Sequence, residues 1–233
     1  VRAAAKNFKD VTIITHSKDY GQLLKELKKS NGKTSLEFRE NMASKAFGLT
    51  AYYDSIISNW FNKKLKIKFP DTKTIYGKKI EELRYGENPH QQGSIYGTAN
   101  ENGLKKIKVK PLSYNNYNDI FSGLEIFSSL KKTGTVIIKH ANPSGVSINK
   151  SPIKSFQNAL LSDPVSAFGG IVACNFRIDR KIAIELSKTY FEVILAEKFE
   201  KDSLKILQKR KNLIIIDISK FKFKSNEQIR YFD

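Results

Sequence analysis

Cysteine is almost missing from this chain. Cys174 stands alone, so no internal disulfide can form, and a reducing compartment, the cytoplasm, is expected. Histidine is scarce as well. His16, His90 and His140 lie far apart and, with one cysteine, give no zinc-ligand spacing. The H-x-E and P-C-x-x-C signature of zinc deaminases is absent. So are a Walker A loop, a G-x-G-x-x-G following a strand and a G-x-S-x-G nucleophile elbow. No run of about 18 or more apolar residues occurs, so no membrane-spanning helix is expected. The chain opens Val1-Arg2-Ala3-Ala4-Ala5-Lys6, without an initiator methionine or the apolar region of a signal peptide. We read it as a piece of a longer protein.

Acidic residues are also in short supply. The 23 Asp and Glu face 41 Lys and Arg, leaving a formal net charge of +18. Such an excess suggests a nucleic-acid binder. The lysines are nevertheless scattered through nearly every segment, and the densest clusters, residues 63–68 and 205–211, lack the interleaved aromatics of a base-stacking platform. We therefore expect no nucleic-acid partner and no membrane. A positive field serves a small anionic or phosphorylated substrate equally well. A basic nucleic-acid-binding α/β module is the alternative.

With 233 residues, 40% of them hydrophobic, the chain can build one large or two modest domains. Residues 11–15 (VTIIT) predict a strand, and 19–29 an amphipathic helix with Leu23, Leu24 and Leu27 on one face. Thr34-Ser35-Leu36-Glu37 suggests a capping box opening a long helix, whose stripe of Leu36, Ala43, Phe47, Tyr53, Ile56, Ile57 and Trp60 predicts core or subunit packing. A lysine-rich stretch without helical period ends in Phe69-Pro70-Asp71, which places a domain boundary after residue 70. Residues 83–97 read as an irregular, polar loop. From Tyr114 onward helices (119–132, 152–162, 180–188, 200–209) alternate with strands (135–139, 170–174, 191–196, 213–217). That alternation predicts an α/β domain with a largely parallel sheet.

Three segments could carry chemistry. The strand 135–139 delivers Lys139 and His140 to its C-terminal end, where Asn142, Pro143 and Gly145 predict an immediate turn. Strand ends of that polarity bind ligands in open α/β sheets. An imidazole beside an ammonium suits proton transfer, because the positive neighbour favours the neutral, proton-accepting ring. Pattern alone leaves open a strand end with two solvated polar residues. The second segment runs from Ser162 to Gly170, where Gly169-Gly170 would let backbone approach a ligand; a plain glycine turn with Phe168 plugging the core fits equally. The third is Leu112 to Asp119, an amide-rich loop in which Asn118 or Asp119 could simply cap the next helix.

Four runs, Arg84-Tyr85-Gly86-Glu87-Asn88-Pro89-His90-Gln91, Ser113-Tyr114-Asn115-Asn116, Lys139 to Gly145 and Asp163 to Gly170, occur in one order. Together they resemble the bacterial bifunctional purine enzymes that join AICAR formyltransferase to IMP cyclohydrolase, and the likeness covers essentially the whole chain. The resemblance implies that residues 1–70 are the C-terminal part of a methylglyoxal-synthase-like cyclohydrolase domain. Residues 71–233 would then be the first, zinc-free cytidine-deaminase-like subdomain of the formyltransferase. It implies formyl transfer from 10-formyltetrahydrofolate to AICAR, giving FAICAR, then ring closure to IMP, in a cytoplasmic homodimer with potassium in some relatives. His140 would move the proton, Lys139 would stabilise the oxyanion, and Lys6 would be the cyclohydrolase lysine. Arg84, Tyr85, Asn116, Gly169 and Glu192 would hold AICAR, the last at a position where relatives usually carry Asp. The second deaminase-like subdomain, with most of the folate pocket, has no counterpart here, so a fragment inactive alone is expected.

Overall fold

In a computed structural model of the chain, residues 1–97, 104–108 and 111–221 are described. The chain forms two compact units, Val1–Lys78 and Lys79 onward.

The first unit is helical: α1 (Arg2–Lys6), a 3₁₀ turn (Ser17–Asp19), α2 (Tyr20–Lys29) and α3 (Leu36–Lys64). The long helix α3 starts at Ser35, whose hydroxyl accepts the Phe38 N–H, as an N-cap should. The reciprocal half of the cap comes from α2: Glu26 Oε1 accepts the Ser35 N–H at 3.0 Å, so the expected box with Glu37 does not form. Arg39 fastens the connections, its guanidinium donating to the carbonyls of Phe8 (2.8 Å), Lys9 (2.7 Å) and Thr34. Residues 11–15 form no strand, because the unit holds no second strand to complete a ladder among the described residues; instead Ile13 packs against a small core of Ala5, Ala43 and Ala46. Along the predicted stripe only Ala43 is buried, while Leu36, Tyr53, Ile57 and Trp60 are exposed. Leu24 is exposed on α2.

The second unit is α/β. A two-stranded sheet, β1 (Lys78–Leu83) with β2 (Gly93–Gly97), precedes a six-stranded sheet. The latter comprises β3 (Lys105–Lys108), β4 (Gly134–Lys139), β5 (Asn142–Ile148), β6 (Ile171–Ile178), β7 (Val193–Phe199) and β8 (Ile214–Asp217), ordered β3-β8-β7-β6-β4-β5. The helices are α4 (Tyr114–Ser128), α5 (Pro152–Ser162), α6 (Arg180–Leu186) and α7 (Lys201–Leu207). The sheet is mixed, which corrects the largely parallel expectation. Only β6–β7 and β7–β8 run parallel, whereas β4 is antiparallel to both β5 and β6, and β3 to β8. The antiparallel start follows from the two-residue link between β4 and β5, which is too short for a crossover.

Both faces of this sheet are covered. Ile137, Val172, Cys174, Ile194 and Ile215 point into one core with Phe156, Ile182 and Leu207 of α5–α7. Val136, Ile138, Ile171, Ala173, Leu195 and Ile216 point into the other with Ile120 and Leu124 of α4. Successive residues alternate between two apolar layers, so the strands read as unbroken hydrophobic runs. Cys174 is fully buried at the centre, where desolvation pushes its thiol up to about 12. At the rim, Gly145 lies so close to α5 that a Cβ there would fall inside the Ala159 carbonyl.

Candidate active site

Strand β4 runs opposite to β6, and the register pairs Ile138 with Ile171, Ile171 with Val193 and Val193 with Ile214. The carboxyl end of β4 is therefore level with the amino ends of the three parallel strands. The expected strand end carries Lys139 and His140, but it faces away from the carboxyl ends where doubly wound sheets bind ligands.

The turn is tighter than the sequence suggested. Asn142 and Pro143 already belong to β5, and Lys139 pairs with Asn142, leaving His140 and Ala141 as a two-residue hairpin loop. Both have left-handed φ, +52° and +59°, the backbone of a type I′ turn that usually takes Asn-Gly. Neither residue favours it, at roughly 1–2 kcal/mol each. The ladder slips between Ile137 and Ile138, accommodating Pro143 in an edge strand.

Contacts around this turn close into a ring. Lys139 Nζ donates to the Gly169 carbonyl at 2.8 Å, an ammonium on a neutral acceptor. Gly169 has φ +71°, and a Cβ there would stand 3.0 Å from that nitrogen, so glycine serves both conformation and space. The Gly169 N–H donates to Tyr190 O (2.8 Å), and the Glu192 N–H to Gly170 O (2.9 Å). Glu192 Oε2 accepts from Asn116 Nδ2 at 2.8 Å. Asn116 sits in the first turn of α4, its side-chain oxygen accepting the Ser113 N–H in a reciprocal capping box. One helical turn later Asp119, 8% exposed, accepts the Ala141 N–H at 2.7 Å, returning to the hairpin. The helix thus starts at Ser113, and neither Asn118 nor Asp119 caps it.

His140 is exposed on the turn, and its carbonyl accepts from Asn142 Nδ2 at 2.9 Å. Beside it the loop 163–170 is braced by Asp163, whose carboxyl is held below its ordinary value by bonds from the Ser166 side chain and backbone. Phe168 does not plug the core. It is 63% exposed, its ring 5.3 Å from that of Tyr190. A cavity of about 190 Å³ lined by Tyr190, Phe191, Arg210 and Lys211, among others, contains none of the predicted site residues.

Lys139, His140, Asn116, Gly169 and Glu192 are thus brought together. Arg84 and Tyr85 lie on the β1–β2 connection, the guanidinium 5.9 Å from the ring centroid. The connection is closed by the Gly86 N–H on Gln91 O (2.7 Å) and the Asn88 N–H on Gln91 Oε1 (2.8 Å). No hydrogen bond or ion pair among the described residues joins them to the hairpin. Lys6 is exposed on α1, in the other unit.

Sequence reasoning missed two features. Asp119 occupies the buried face of α4 beside Ile120 and Leu124, and a carboxylate on an apolar helix face was the available signal. Glu81 Oε2 accepts from both Lys106 Nζ and Tyr117 OH at 2.7 Å, binding β1 to β3 and α4. Burial alone would raise the Glu81 carboxyl, but these two bonds outweigh it and hold it below 4.5; Tyr117, desolvated beside that carboxylate, is pushed up. No sequence spacing connects residues so far apart.

A family described as AICARFT/IMPCHase bienzyme matches residues 4–233. The protein "Bifunctional purine biosynthesis protein PurH" of Persephonella marina is 44% identical over 230 residues, covering 95% of this chain and 44% of the relative. Its namesake from Bradyrhizobium diazoefficiens is 41% identical over 223 residues, 93% and 42% respectively, and that of Leptospira biflexa 40% over 222, 95% and 43%. The chain spans less than half the length of these curated relatives.

Proposed function

We propose, from the premise that this chain belongs to the AICARFT/IMPCHase bienzyme family, that it supplies part of the formyl-transfer centre and part of the cyclohydrolase of a purine-biosynthesis enzyme. In the whole protein, 10-formyltetrahydrofolate gives its formyl group to the 5-amino group of AICAR. Loss of water then closes FAICAR to IMP. Residues 1–70 are the C-terminal part of the cyclohydrolase domain, with Lys6 its lysine. Residues 71–233 are the first cytidine-deaminase-like subdomain of the formyltransferase. The whole protein acts as a cytoplasmic homodimer, and the chain alone is inactive.

The observation that carries this reading is the Lys139–His140 hairpin, held by Gly169 on one side and Asp119 on the other. An aromatic amine is a poor nucleophile and needs a base as it attacks the formyl carbon. His140 takes its proton, and the exposed turn leaves the imidazole accessible to substrate. The formyl oxygen becomes anionic in the tetrahedral intermediate, whose collapse breaks the bond from the formyl carbon to N10 and releases tetrahydrofolate with the proton that His140 took from the amine. Lys139 supplies a fixed cation at that oxygen, its ammonium held in place by the Gly169 carbonyl. Asn116 and Glu192, bonded to each other, and Gly169 hold AICAR beside them, and Arg84 with Tyr85 takes its phosphate, for which a guanidinium fork is suited. Potassium, found in some relatives, is assigned no residues of this chain.

The test replaces the matching segment of the Persephonella marina relative with this chain and assays formyl transfer to AICAR. The chimera should be active, and His140→Ala should lower its turnover by about 10²–10⁴-fold. Equal turnover in that variant would remove His140 from the chemistry.

A further inference from the structure

We propose that Asp119 is the positioning residue of the hairpin: by accepting the Ala141 N–H it holds the left-handed His140–Ala141 pair and thereby sets where the His140 imidazole stands. The inference rests on the role given to His140 above.

The peptide joining His140 to Ala141 is fixed at both of its polar atoms. Its carbonyl, on His140, accepts from Asn142 Nδ2 at 2.9 Å, and its N–H, on Ala141, donates to Asp119 Oδ1 at 2.7 Å. The β4–β5 ladder ends at the Lys139–Asn142 pair, so it offers nothing to the Ala141 N–H. Turns of this kind are ordinarily stabilised by their own residues, Asn and Gly, which tolerate positive φ. Ala does not, and at Ala141 the conformation must be imposed from outside the residue itself. Of the two partners, the Asn142 amide is local and exposed, whereas Asp119 is 8% exposed and belongs to a packed helix. A charged acceptor in such a setting makes a short, strong bond. Asp119 also lies three residues after Asn116, on the same face of α4. One rigid helix therefore fixes both the hairpin and, through Asn116, Glu192 across the site.

Two measurements test this. In isotopically labelled chain, Ala141 N should show a coupling across the hydrogen bond to the Asp119 carboxyl carbon. In Asp119→Ala the Ala141 amide should exchange about tenfold faster or more, as loss of a charged acceptor implies, with the strand-centre Ile137 amide unchanged. In the Persephonella chimera, Asp119→Ala should lower kcat about 10–100-fold with KM for AICAR unchanged, the mark of a misplaced group. Ala141→Gly, which tolerates left-handed φ, should restore part of that loss. A merely destabilised fold would show no such rescue. Absence of the coupling, unaltered Ala141 exchange, or a kcat loss that Ala141→Gly does not relieve would each overturn the proposal. If His140→Ala keeps full turnover, the role of His140 fails, while the coupling and exchange still decide whether Asp119 holds the turn. Were Asp119→Ala not to fold, the coupling in the unsubstituted chain decides alone.

Discussion

From Lys79 onward, helices cover both faces of a six-stranded sheet, and the apolar residues of its central strands β4, β6, β7 and β8 enter one of two cores. In Val1–Lys78 three helices and extended chain bury Ala5, Phe38, Met42, Ala43 and Ala46, and leave Leu49, Tyr53, Trp60 and Phe61 in solvent. The raw material is similar, since both regions carry long amphipathic or apolar stretches. What differs is the second surface. A sheet offers two faces to two sets of helices, whereas among the described residues the 29-residue helix α3 meets α1, the preceding chain and, at Tyr52 and Asn59, the short segment around Thr74 and Tyr76. Order in the first unit comes instead from polar fasteners, above all Arg39 and the Ser35–Glu26 cap. The second unit should thus be brittle toward changes of shape, and the first tolerant of apolar loss but sensitive at its caps.

The strongest blow to that contrast would come from Gly145→Ala. The added carbon meets backbone that cannot swing aside, and overpacking of this kind costs about 3 kcal/mol. Thermal denaturation should show a destabilised second unit; an unshifted melt would mean that the β5–α5 approach is soft. Next comes Glu81→Gln, expected to cost about 1–2 kcal/mol through weakened bonds to Lys106 and Tyr117. The same cluster sets a pH dependence. The Glu81 carboxyl titrates below 4.5 in the fold, so its stabilisation is complete above 4.5 and lost as pH falls through the folded value. Tyr117 is displaced upward, so its contribution is complete below 10.0 and lost as alkaline pH reaches the folded value. Glu81→Gln should flatten the acid limb of a stability–pH curve.

Effects in the first unit should be smaller. Ser35→Ala removes the N-cap of α3 and should cost about 1 kcal/mol, seen as faster exchange of the Phe38 amide. Trp60→Ser, at a side chain 53% exposed, should change stability by no more than about 0.5 kcal/mol. A larger loss would show that Trp60 is held by more contacts than its exposure implies.

Much of the second unit was legible because its periods are strong. The helix 152–162 begins with Pro152 behind Ser151 and ends where expected, and the strand at 135–139 is a β-branched run. Sheet polarity was not legible, since alternation of helix and strand says nothing about β4 and β5 pairing through two residues. Pro143 argued for a turn and proved to be an edge-strand residue at a slip in register, where its missing N–H costs nothing. The His140–Ala141 turn was invisible for the opposite reason, because His signals positive φ only weakly and Ala not at all. Of the candidate site, motifs gave Lys139, His140, Asn116 and Gly169, and the family resemblance gave Glu192, but their mutual bonds depend on strand order. Asp119 was seen only as a cap. Residues 11–15 had strand composition without a strand to join.

Cys174, the single thiol of the chain, lies at the middle of β6 between Thr135 and the helices of one core, fully enclosed and reluctant to ionise. A thiol reagent cannot reach it, nor find the thiolate it needs, while the sheet is intact. Its modification therefore clocks the opening of the sheet carrying the Lys139–His140 hairpin and is blind to motions confined to Val1–Lys78. Labelling kinetics on the unsubstituted chain would give the frequency of that opening directly, with a reporter that needs no engineering.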